Sequence, residues 1–172
     1  KNVTRVSRDL FNNCHNLQKV VFLGNITEIG SSAFYRCYNL QSIQLPDSLV
    51  TLDSGAFIDC RSLSSIIIPR KVSILPYSLF EGCINLTNVT ILGNITKIDA
   101  RVFYDCIKLK KFTYYGMESP KCICKNIFYH DIIVQVDSRY ESNKFCEYPV
   151  KLISEQSSQL SSSQGDKKKE DL

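Results

Sequence analysis

The sequence predicts an α/β-type repeat solenoid with a 23-residue period. Parallel short strands should line one side, with short helical or irregular segments opposite. Three observations predict it. First, a phenylalanine recurs at Phe11, Phe34, Phe57, Phe80 and Phe103, every step 23 residues with no insertion. Second, a cysteine follows each phenylalanine (Cys14, Cys37, Cys60, Cys83, Cys106), and a leucine follows each cysteine (Leu17, Leu40, Leu63, Leu86, Leu109). Third, the residues after the leucine alternate apolar and variable, as in LQSIQL (40–45) and LSSIII (63–68). Such alternation marks a short strand with one buried face. No unit of this size can bury its apolar side alone, so neighbours must stack into a continuous core.

The remaining elements follow in order. After each strand a break appears, at Gly24, Pro46, Pro69 and Gly93. A second apolar pair then keeps register through Val3/Val6, Ile26/Ile29, Leu49/Leu52, Val72/Leu75 and Ile95/Ile98. Ser7, Asp53 and Asp99 can cap a following helical turn, and Pro76 suits a first helical position. That turn carries Ala33, Ala56, Leu79 or Val102 and leads into the phenylalanine.

The L-x-x-I-x-L pattern in a 23-residue unit is that of a leucine-rich repeat. With the added A-F-x-x-C-x-x-L motif, the chain resembles the BspA-like, or Treponema pallidum-type, leucine-rich repeat proteins. The resemblance covers about residues 3–115. It implies a non-catalytic protein- or glycan-recognition module: a surface antigen or adhesin for host cells, matrix or other microbes. It also implies a cell-surface or secreted location. An intracellular, cytoplasmic scaffold of the same fold is the alternative reading.

The chain divides into three parts. Residues 1–115 hold five repeats, the first truncated, so further units are expected upstream. Residues 116–154 read as a degenerate repeat and a cap. A sixth phenylalanine would fall at position 126, where the sequence has Asn126, with Phe128 two later. IIVQV (132–136) reads as a strand, and SRYESNKFC (138–146) as a short helix bringing Tyr140 and Phe145 over the core edge. The Ser/Gln-rich, then charged, tail at 155–172 cannot bury enough to order itself.

The five in-register cysteines are expected to be a core ladder of buried thiols beside the phenylalanines, because a nucleophile would occur once. Cys122, Cys124 and Cys146 lie past the last full repeat. In an oxidising compartment Cys146 is expected to pair with Cys122 or Cys124; three free thiols are the alternative. Isolated cysteines and a C-x-C do not make a zinc site, so no metal and no cofactor is expected.

Binding is expected on the outward strand positions: Lys19, Val21, Ser42, Gln44, Ser65, Ile67, Asn88, Thr90, Lys111 and Thr113. These are mostly small, polar and uncharged. They suit a protein or glycan better than a phosphate backbone, and a net charge of +4 adds no argument for nucleic acid. Sequons at Asn25, Asn85, Asn88 and Asn94 are candidate N-glycosylation sites on a secretory route. No apolar run approaches the length of a membrane-spanning helix. No nucleophile elbow, phosphate loop or dinucleotide motif is present, and no catalytic residue is assigned.

Overall fold

The fold was read from a computed structural model that describes residues 3–124 and 127–153. The tail expected at 155–172 lies outside the described residues. The chain is a leucine-rich repeat solenoid of about six turns with a 23-residue period. Each coil has three sides.

The first side is built from the L-x-x-I-x-L segments, extended past the last full repeat by two strands of other sequence. They form β2 (Lys19–Val20), β4 (Ser42–Ile43), β6 (Ser65–Ile68), β8 (Asn88–Ile91), β10 (Lys111–Tyr114), β12 (Val134–Val136) and β14 (Tyr148–Leu152). β2 pairs with β4, and β6, β8, β10, β12 and β14 pair in succession, all parallel. Ile66, Val89, Phe112 and Val134 face inward in one column. The second side comes from the second apolar pair: β1 (Arg5–Val6), β3 (Glu28–Ile29), β5 (Thr51–Leu52), β7 (Ile74–Leu75), β9 (Lys97–Ile98) and β11 (Lys121–Cys122). These are parallel as well, with Val6, Ile29 and Leu52 paired in one sheet and Leu75 and Ile98 in a second, at the same position of the repeat.

The third side corrects the helical expectation. Among the described residues there is no helix; the segment is a string of tight turns. In the second coil Ala33, Tyr35 and Cys37 donate their N–H groups back three residues, to Gly30, Ser32 and Phe34. The residues between them donate forward to the next coil: Ser32 to Ser54, Phe34 to Ala56 and Arg36 to Ile58. The third and fourth coils repeat the forward bonds, as in Phe57 to Leu79 and Phe80 to Val102. The cause is local. Two positions per coil have positive φ: Asp9, Ser32, Gly55, Ser78 and Arg101 in one column, and Asn13, Arg36, Asp59, Gly82 and Asp105 in the other. A left-handed residue in each turn breaks a right-handed helix. Ser7, Asp53 and Pro76 therefore open β-turns, accepting from Leu10, Ala56 and Leu79, and do not cap helices.

Four of the five ladder cysteines are buried with their phenylalanines. Rings of Phe11, Phe34, Phe57, Phe80 and Phe103 stack in one column at 5.2, 5.3, 5.5 and 5.8 Å. Each buried thiol donates to the carbonyl of the phenylalanine one coil back: Cys37 to Phe11, Cys60 to Phe34, Cys83 to Phe57 and Cys106 to Phe80, all at 3.2 Å. The same carbonyl already accepts the N–H of its own coil's cysteine, so the thiol takes its second lone pair. Burial pushes the Cys37 thiol up to about 11, and also raises the Cys83 and Cys106 thiols. Cys14 is the exception and corrects the expected ladder. It is exposed, and Phe11 and Leu17 are only half-buried, in the first of the described coils.

The far end is closed. Phe128 continues the phenylalanine column, 5.7 Å from Phe103. Residues 138–146 hold no helix. Cys146, at φ 55°, turns the chain from β13 (Lys144–Phe145) into β14, and the two pair antiparallel. Phe145 packs on Phe112 and Tyr114, and Tyr140 lies edge-on to Tyr114. Cys122 is disulfide-bonded to Cys146, with Cα atoms 5.8 Å apart, joining the last strand of the second side to the closing hairpin. Closing a loop of this length corresponds to about 3 kcal/mol of chain entropy.

Two outcomes follow from this packing. A thiol reagent added to the native chain at pH 8 should modify Cys14 and leave Cys60, Cys83 and Cys106 intact until denaturant is added. Peptide mass mapping checks this, and rapid native labelling of Cys60 would contradict the ladder. Arg36→Val should be less stable than Arg36→Gly by about 1–2 kcal/mol in urea unfolding, since a β-branched residue resists positive φ.

Candidate binding surface

The parallel register sets outward side chains of the first side in rows. One row runs through Ser65, Asn88 and Lys111, with Lys19 and Ser42 paired at its start. A second runs through Ile67, Thr90 and Thr113, to Gln135. The residues between them point into the core, so composition of the rows is free of packing demands. Lys19, Val21, Ser42, Gln44, Ser65, Ile67, Asn88 and Lys111 are exposed, and Thr90 is partly so. Val21 and Ile67 are the apolar members, 63% and 53% exposed. A shallow trough follows the face, lined by Lys19, Val21, Ser42 and Gln44 at one end and by Ser65 and Ile67 further on.

Thr113 does not belong to this surface. It is buried, with Oγ1 donating to Gln135 Oε1 at 3.3 Å. Addition of β12 and β14 beyond β10 covers it, and the degenerate repeat gave no sequence register from which to see that.

The sequon asparagines occupy different settings. Asn88 stands on the strand face, and Asn25 is exposed beside the Gly24 break. Asn85 donates to the Arg61 carbonyl at 2.8 Å and accepts from Lys108 at 2.7 Å. Asn94 accepts from the Met117 N–H at 2.8 Å.

Charges elsewhere are mostly answered locally. Arg5 meets Glu28 at 3.0 Å across the second side. Arg101 grips Glu81 with two guanidinium nitrogens, which holds the Glu81 carboxyl below its ordinary range. Among the described residues no group of three or more His, Cys, Asp or Glu is placed to hold a metal ion. No helix among them is long and apolar enough to cross a membrane. Sequence reading put no candidate on the turn side. Yet positions 15, 38 and 61 share one register there, and all three carry an aromatic or arginine side chain. That register was the available signal.

Comparison with known proteins agrees with the geometry. The BspA type leucine rich repeat region matches residues 4–134 in six copies. No curated protein matches the chain. A leucine rich cell surface protein of Faecalibacterium prausnitzii is 27% identical with a TM-score of 0.63; the match covers 77% of this chain and 36% of that protein. The pneumococcal vaccine antigen PcpA is 22% identical with a TM-score of 0.70, over 90% of this chain and 42% of the antigen. The T. pallidum leucine rich repeat protein is 22% identical with a TM-score of 0.53, over 70% and 67% of the two chains. The chain thus spans well under half of the first two, and the latter two likenesses speak to fold alone. Six matched copies, in the register that the coils display, place this chain in the BspA type leucine-rich repeat family.

Proposed function

We propose that the chain is a non-catalytic recognition module at a cell surface, binding a protein or glycan through the outward rows of its first side. The observation that carries this reading is the uninterrupted parallel array from β6 to β14. It holds side chains at fixed spacing on a rigid face whose composition the core does not constrain. Likeness to a cell surface protein of F. prausnitzii supports the location. The disulfide between Cys122 and Cys146 supports an oxidising environment. An adhesin or surface antigen directed at host cells, matrix or other microbes is the role that combines these features. In that setting Asn25, Asn85, Asn88 and Asn94 are the candidate N-glycosylation sites. A glycan on Asn88 would occupy the binding face, so the reading favours Asn88 unmodified.

Surface labelling of intact source cells with a membrane-impermeant biotin reagent should capture the protein; capture only after lysis would move it inside and favour a cytoplasmic scaffold. Beads coated with the chain should be retained on host-cell monolayers or immobilised matrix protein. Ile67→Arg should cut that retention by about tenfold, and Ile74→Arg, on the second side, should not. Equal loss with both substitutions would remove the strand face from consideration.

A further inference from the structure

The turn side of the first three coils carries a connected group that neither the core nor the strand face uses. The rings of His15 and Tyr38 stack at 4.8 Å. The Arg61 guanidinium lies over the Tyr38 ring at 4.6 Å, and that of Arg36 over the Tyr35 ring at 4.9 Å. Asp59 ties the two arginines together, 3.2 Å from Arg61 and 3.8 Å from Arg36. Both arginines stay about half exposed, at 51% and 46%, so none of this is required to fill the core.

We infer that Tyr35, Arg36, Tyr38, Asp59 and Arg61 form a second docking surface, for an acidic segment of a partner protein. Three arguments lead there. Tyrosine and arginine are the side chains that dominate binding energy at protein interfaces, whereas the serines and threonines of the strand face are poor at it. The charges do not cancel: one carboxylate is shared by two guanidiniums, leaving one positive charge, which a carboxylate of the partner would answer. The group is also ordered in advance. Ring stacking and the shared Asp59 hold both long arginine side chains, which lowers the entropy cost of binding. Gly82 follows Arg36 and Asp59 in the same column, and a Cβ there would meet Asp59 Oδ1 at 2.7 Å. The Asp59 carboxylate therefore packs directly on the Gly82 backbone, which fixes its position between the two arginines.

The comparable pair further along does not qualify. Arg101 lies over Tyr104 at 4.0 Å, but Glu81 alone neutralises it. A sulfated glycan or nucleic acid fits less well than an acidic protein segment. Such polyanions need a run of cations, and here a carboxylate sits at the centre.

The test is selection of phage-displayed random peptides on the whole chain. Enriched peptides should carry Asp or Glu beside an aromatic or apolar residue. Their affinity should fall about tenfold or more with Arg61→Gln and with Tyr38→Ala, and stay unchanged with Ile67→Arg. Circular dichroism melting identifies any variant that loses its fold, and Arg61→Gln, at an exposed position, serves where Tyr38→Ala does. Enrichment without acidic residues, or indifference to Arg61→Gln, overturns the assignment. Peptides lost with Ile67→Arg alone would overturn it while leaving the strand-face reading intact. Heparin oligosaccharide binding that depends on Arg36 and Arg61, without acidic peptides, would overturn the choice of partner.

Discussion

Each coil hands backbone hydrogen bonds to the next, and this requirement governs everything else in the molecule. Two sides do it as parallel strands, and the third does it with the free N–H groups between successive tight turns. A buried N–H without a partner costs as much as a lost hydrogen bond, so the ladders cannot be interrupted cheaply. An inserted residue would slip all three at once and turn core side chains outward. That is a physical reason for a period held at 23 residues across five units, and for left-handed residues at fixed columns in every turn.

The same ladders explain the cysteine. In each coil the slot lies beside the stacked phenylalanines, where volume is small and the surroundings apolar. A phenylalanine carbonyl there has one lone pair filled by its own turn and another left over. Alanine would leave that lone pair unanswered and a small void. Serine would bring a more polar group than the single acceptor requires. A thiol is small, mostly apolar and able to donate weakly, which matches the slot. Burial raises the Cys37, Cys83 and Cys106 thiols above their ordinary range, so these three are poor nucleophiles and their regular spacing is structural.

Much of this was legible in the sequence because the information is periodic. The phenylalanine, leucine and strand columns each repeat five times, and register alone places them together. What was not legible depended on backbone conformation or on chain ends. Ser32, Arg36 and Arg101 are not residues that announce positive φ, so a turn ribbon read as helix; Gly55 and Gly82, with Asp9, Asn13, Asp59 and Asp105, were the hints in those columns. The closing hairpin read as a helix because Ser138 resembles a cap, while Tyr140 and Phe145, five residues apart, mark neither period. Thr113 read as exposed because the strands covering it come from a segment that has lost the repeat.

A solenoid separates what folds from what binds. Inward columns stay apolar in every full repeat, and the phenylalanine, cysteine and leucine columns keep one residue type, since each must match its neighbours above and below. Outward positions carry no such demand, and here the two faces differ. The strand face is Ser, Gln, Asn and Thr with Lys19 and Lys111 near its ends and isolated Val21 and Ile67, whereas the turn side of the early coils gathers His15, Tyr35, Tyr38, Arg36 and Arg61. Stacking and ion pairing at a half-exposed surface contribute little to folding. The concentration of these groups on one side of three adjacent coils therefore calls for an explanation outside stability. A flat polar face and a preorganised aromatic one, held rigidly on the same stack, give one chain two distinct contact chemistries without altering a single core residue.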